Sequence, residues 1–192
     1  MNDIKTAAGV DEAGRGPLAG EVYAAAVILN PDDPIDGLRD SKKLSPKRRS
    51  DLFIQIKQRS LAWSVSFASV EEIDKLNILI ATLLAMERAI AGLDILPEIA
   101  LVDGNKAPSL EGIEVFTIIK GDQKEPCISA ASIIAKVARD ERLMVLDHIY
   151  PKWGFKRHKG YGTKIHIEAI KKYGITPLHR KSFEPIKSMK FN

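Results

Sequence analysis

Three short apolar runs in this chain each lead to an aspartate set close to glycine, and that repetition restricts the fold more than any bulk property. Residues 7–10 run into Asp11 and Glu12, residues 99–102 into Asp103-Gly104, and residues 115–119 through Lys120-Gly121 to Asp122. Short continuous apolar runs bounded by turn signals are the mark of strands buried on both faces. If such strands are neighbours in one sheet, their carboxylates converge on one rim.

The intervening sequence supplies the rest of an α/β fold. A second strand, 22–29, follows the turn Gly14-Arg15-Gly16-Pro17, and 61–68 alternates as a third. Ser45-Pro46 predicts a helix start with proline at its first position, running to about Gln58. Ser69 with Glu71 and Glu72 opens another, and Ile80, Leu83, Leu84 and Ile90 recur at helical spacing within 77–91. A long helix with one buried face is predicted over 128–149, and Thr163 and Thr176-Pro177 are expected to cap two short helices near the C-terminus. The expected architecture is a mixed central sheet flanked by helices, one domain over residues 1–192, with a small C-terminal helical portion from about 163 to 192.

With 45% apolar and 28% charged residues, the 192-residue chain has a core to build and is neither disordered nor fibrous. Its formal net charge of +4 suits a polyanionic partner. Cys127 is the single cysteine, so an intrachain disulfide is excluded and a reducing compartment is expected. No secretory signal pattern is present and no apolar stretch is long enough to cross a bilayer. A cytoplasmic monomer without membrane attachment is the expectation.

Four carboxylates on one rim, Asp11, Glu12, Asp103 and Asp122, would repel one another, and divalent cations relieve that repulsion. Oxygen donors without clustered histidine or cysteine favour Mg²⁺ or Mn²⁺ over zinc, a combination suited to phosphodiester hydrolysis. Any one of these acids alone would read as solvated surface or a turn cap; the weight lies in their combination. Asp140 competes for the fourth place, but Lys136 and Arg139 beside it suggest a helix ion pair. No Ser/His/Asp triad or phosphate-binding loop is evident.

The segment Gly9-Val10-Asp11-Glu12-Ala13-Gly14-Arg15-Gly16-Pro17-Leu18-Ala19-Gly20 resembles the opening motif of the bacterial ribonuclease HII family. Asp40-Ser41-Lys42-Lys43-Leu44-Ser45, Val102-Asp103-Gly104-Asn105, Lys120-Gly121-Asp122, the stretch 128–140 and His158-Lys159-Gly160-Tyr161-Gly162-Thr163 match in the same order, so the resemblance spans essentially the whole chain. It implies an RNase H-like fold and a type 2 ribonuclease H. The implied activity is endonucleolytic cutting of the RNA strand of RNA–DNA hybrids and 5′ to single ribonucleotides in duplex DNA. Divalent-metal-activated water would leave 5′-phosphate and 3′-hydroxyl ends. The family's four acids fall on Asp11, Glu12, Asp103 and Asp122. Its reading of the 2′-hydroxyl falls on Gly14, Arg15 and Gly16, and its sugar-packing tyrosine on Tyr161. Related ribonuclease HIII is disfavoured because Asp11 lies so near the start, and a catalytically silent binding protein because all four acids are retained.

Ser41 and Lys42 are candidate phosphate contacts, while Lys43 reads equally as a solvated lysine. Trp153 and Phe155 are expected to tuck into the core, and Tyr161, between glycines, to face substrate. His148 and His166 read as packing or surface groups and His158 stays open. Ser129 and Ser132 share a helix face and offer hydroxyl contacts to substrate or ligands, with ordinary packing the simpler reading.

Overall fold

The computed structural model describes residues 6–38 and 44–190. Strands β1 (Ala7–Ala13), β2 (Val22–Ile28) and β3 (Ala62–Ala68) form an antiparallel meander. Strands β4 (Ile99–Asp103) and β5 (Glu114–Ile118) extend it in parallel from the other side of β1, giving the order β3-β2-β1-β4-β5. The sheet is therefore mixed, with the first acidic strand at its centre.

Alternation in β2 sorts the two cores. Ala24, Ala26 and Ile28 face helix α3 (Ile78–Ala91), where Ala81, Ala85 and Ala89 recur every four residues and let the helix lie close. Ala25 and Val27 face the opposite layer, with Leu52 and Ile56 of α1 (Pro46–Arg59) and Ala131, Ile134 and Ala135 of the long helix α4 (Pro126–Ile149). A short helix α2 (Val70–Leu76) precedes α3.

The helix starts follow their capping residues. The Ser45 hydroxyl accepts from Arg48 N, Ser69 and Glu72 cap each other's backbone, and Asn77 Oδ1 accepts from Leu79 N and Ile80 N. Thr163 caps α6 (Lys164–Tyr173), which follows the single-turn α5 (Phe155–His158). Thr176-Pro177, by contrast, caps no helix. The Thr176 hydroxyl accepts from Leu178 N and lies 2.9 Å from His179 Nδ1, so it shapes a turn.

Gly9 positions the site. A Cβ there would collide with the backbone of Cys127 and Ile128, so the start of α4 sits directly against β1. Further along the same contact, α4 brings Ser132 to Asp11.

Candidate active site

The register of β1 and β4 ends by pairing Val10 with Val102, so Asp11, the next residue of β1, lies close to Asp103, the last residue of the adjacent parallel strand. Neighbouring strands lie about 4.8 Å apart. Beyond that point β1 stays paired with β2 through Ala13, while its pairing with β4 stops at Val10. Glu12 thus projects past the end of β4 and lines a recess that also holds Asp103.

Each acid has local partners. Glu12 N donates to Asp11 Oδ1 at 2.7 Å, and the Ser132 hydroxyl also bonds Asp11. Gly121 N donates to Asp103 Oδ1 at 2.7 Å, and Arg15 Nη1 reaches Glu12 Oε1 at 3.4 Å. Burial, then the charges of Glu12 and Asp103, push the Asp11 carboxyl well above the usual carboxylate range. Burial also raises Glu12, opposed by the Arg15 charge.

Asp122 is buried in the 3₁₀ turn Gly121–Gln123 just beyond β5, and lines a separate recess with Leu38 and Ser129. Its turn is tied to the cluster through the Gly121–Asp103 bond. Asp140 pairs with Lys136 at 2.7 Å, as an i,i+4 helix pair. Arg139 turns elsewhere.

The donor set is oxygen only, crowded by negative charge, and suits a hard divalent cation. Among the described residues no group of three or more Asp, Glu, His or Cys is drawn together as a finished cage.

Beyond Ala13 the chain enters the glycine turn. Gly14 has φ +99°, and a Cβ there would strike Arg139 Nε. Gly14, Arg15 and Gly16 line a cleft of about 290 Å³ with Glu12, Ser132 and Tyr161. Tyr161 is 46% exposed, and its ring Cε1 lies 3.6 Å from where a Gly16 Cβ would be, so the ring borders the turn. Glu12 and Arg15 line both this cleft and the Asp103 recess, making Glu12, Asp103 and the turn one continuous surface.

Two buried arginines lie behind that surface, and sequence reasoning missed both roles. Arg139 donates to the carbonyls of Ala19, Glu21 and Lys159, and Arg180 to those of Gly14, Arg15 and Gly20. Burial, then the charge of Arg139, brings Arg180 down to about 9. No local pattern in the sequence marks either role, and Arg180 even has Glu184 four residues on, the spacing of an ordinary helix ion pair.

Phe155 is fully buried, and Trp153 Nε1 donates to Gly174 O, so both aromatics serve packing as expected. His158, His166 and His179 cluster against Phe155. His166 Nδ1 donates to Tyr161 O, while His179 Nδ1 accepts from Thr176 N, leaving the His179 Nε2 proton for His166 Nε2 at 3.1 Å. His158 Nε2 donates to Trp153 O and its Nδ1 accepts from Gly160 N. All three rings are neutral and placed to hold the segment carrying Tyr161. Ser41 and Lys42, with Lys43, lie outside the described residues.

Residues 8–186 match the family model described as Ribonuclease HII. The chain is 60% identical over 181 residues to Ribonuclease HII of Bordetella pertussis, covering 94% of this chain and 90% of that one. Among solved structures it resembles ribonuclease H2 from Pyrococcus horikoshii, with TM-score 0.78, 29% identity, and 95% and 96% of the two chains covered. It also resembles RNase HII in a complex with PCNA from Archaeoglobus fulgidus, with TM-score 0.79, 29% identity, and 93% and 95% covered.

Proposed function

The chain belongs to the ribonuclease HII family of metal-dependent nucleases, and from that premise we propose that it cuts the RNA strand of RNA–DNA hybrids and cuts duplex DNA 5′ to single embedded ribonucleotides. The products are a 5′-phosphate and a 3′-hydroxyl. The observation that carries this reading is the joining of Glu12 and Asp103 to the glycine turn: Glu12 and Arg15 belong to the surfaces around both.

Asp11, Glu12, Asp103 and Asp122 are assigned to hold Mg²⁺ or Mn²⁺. When bound, the cation supplies water activation and charge stabilisation at the leaving oxygen. The chain's own groups orient the reaction. Ser132 and the Glu12 N–H fix the Asp11 carboxylate, and the Gly121 N–H fixes that of Asp103. Gly14, Arg15 and Gly16 take the ribose with its 2′-hydroxyl, and Tyr161 packs on the adjoining sugar. Polar groups that need this hydroxyl are left unpaired by deoxyribose, which makes rejection of DNA strong. Ser41 and Lys42 bind backbone phosphate, and the C-terminal portion from about residue 163 helps hold the duplex.

A duplex DNA carrying one ribonucleotide tests the reading, incubated with Mg²⁺ or Mn²⁺ against chelator. Metal-dependent nicking 5′ to the ribonucleotide is expected, and absence of product overturns it. Asp11→Asn should lower turnover by roughly a thousandfold or more while duplex binding persists; unchanged turnover removes Asp11 from the site.

A further inference from the structure

Arg180 is fully buried, and its planar fork is spent on the loop that carries the glycine turn. Nη2 donates to Gly14 O at 2.6 Å, Nη1 to Arg15 O at 2.9 Å, and Nε to Gly20 O at 2.9 Å. The arginine is itself anchored. Arg180 N donates to Leu18 O and Gly20 N to Leu178 O, each at 2.8 Å, and Ala19 bridges to His179. The Phe183 ring lies 4.9 Å from the guanidinium carbon, closing one side.

This geometry has a directional result. In a planar trans peptide the carbonyl of one residue and the N–H of the next point to opposite sides. Drawing the Gly14 and Arg15 carbonyls inward onto Arg180 therefore turns the N–H groups of Arg15 and Gly16 away from it. Residues 14–16 line the cleft bordered by Tyr161, whereas Arg180 lies beneath them. A lysine keeps the charge but cannot reproduce the rigid fork that meets three carbonyls at once.

We propose that Arg180 is the positioning residue for ribose recognition, holding the turn carbonyls inward so that the Arg15 and Gly16 N–H groups are presented to the 2′-oxygen of a ribonucleotide. The inference rests on the ribose-reading role proposed above for the turn. Arg139 supports the neighbouring carbonyls of Ala19 and Glu21 and leaves those of Gly14 and Arg15 to Arg180.

The test measures binding in chelator, without turnover, to two duplex DNAs that differ by a single ribonucleotide. The unmodified protein should prefer the ribonucleotide-containing duplex by about tenfold or more. Arg180→Lys should bring that ratio close to one while affinity for the all-DNA duplex stays within about twofold. Arg180→Ala should behave likewise and regain the preference with added guanidinium but not with methylammonium. A preference kept by folded Arg180→Lys overturns the inference. So does a parallel loss of both affinities and of Mn²⁺ binding, which marks a general structural role. If the unmodified protein shows no preference, the ribose-reading role of the turn falls first, and the inference with it. Should both variants fail to fold, amide spectra of the unmodified protein decide: shifts of the Arg15 and Gly16 N–H signals specific to the ribonucleotide duplex support the proposal, and their absence overturns it.

Discussion

Asp11 is held under strain between two demands. Packing against α4 buries it, and the sheet register sets Asp103 beside it, so its charged form is disfavoured in the folded chain. A carboxyl raised in this way costs folding stability above its own pKa, because the unfolded chain ionises it freely. Asp11→Asn is therefore expected to raise the melting temperature in chelator, because it removes the charge that the folded chain disfavours. Added Mn²⁺ should stabilise the unmodified protein more than the variant. Calorimetry with and without the ion checks both. The acids were legible because each ends an apolar run, a signal carried in a few adjacent letters. Arg139 and Arg180 were not, because their meaning comes from carbonyls 20 to 166 residues away, and no local pattern marks a residue so placed.

At the scale of elements, strands, caps and helices were legible wherever one local rule acted alone. Ser45-Pro46 and Ser69 through Glu72 fold as their capping chemistry dictates. Thr176-Pro177 carried the same letters as a helix start, yet a competing local bond to His179, three residues on, drew Thr176 into a turn. The seating of α4 on β1 depends on a missing side chain. Gly9→Ala must force helix and strand apart against backbone atoms, and roughly 2–4 kcal/mol of stability should be lost, measured by urea unfolding. Because the same contact sets Ser132 on Asp11, activity should fall more steeply than the folded fraction.

For the whole molecule, the histidine chain ties stability to pH. Burial holds His166 and His179 at about 4, below the ordinary histidine value of about 6.5. As pH falls from about 6.5 toward 4, the unfolded chain takes up protons that the folded chain excludes, so this contribution to stability is lost across that window. Asp11, with its raised carboxyl, acts in the opposite sense. The readout is therefore a difference: His179→Gln should show a slope of unfolding free energy against pH shallower by about one proton than the unmodified protein. Equal slopes would mean that His179 titrates alike in both states.

The Arg180 clasp also has a consequence in time. Its donor and the Gly14 carbonyl are 166 residues apart, so a ribosome working at about 5–20 residues per second needs roughly 10–30 s to deliver the second after the first. Throughout that interval the nascent chain carries its acidic strand without the clasp that finishes the turn. Synthesis itself therefore sets an order of events, in which the turn is finished only when the segment carrying Arg180 folds back onto the one carrying Gly14.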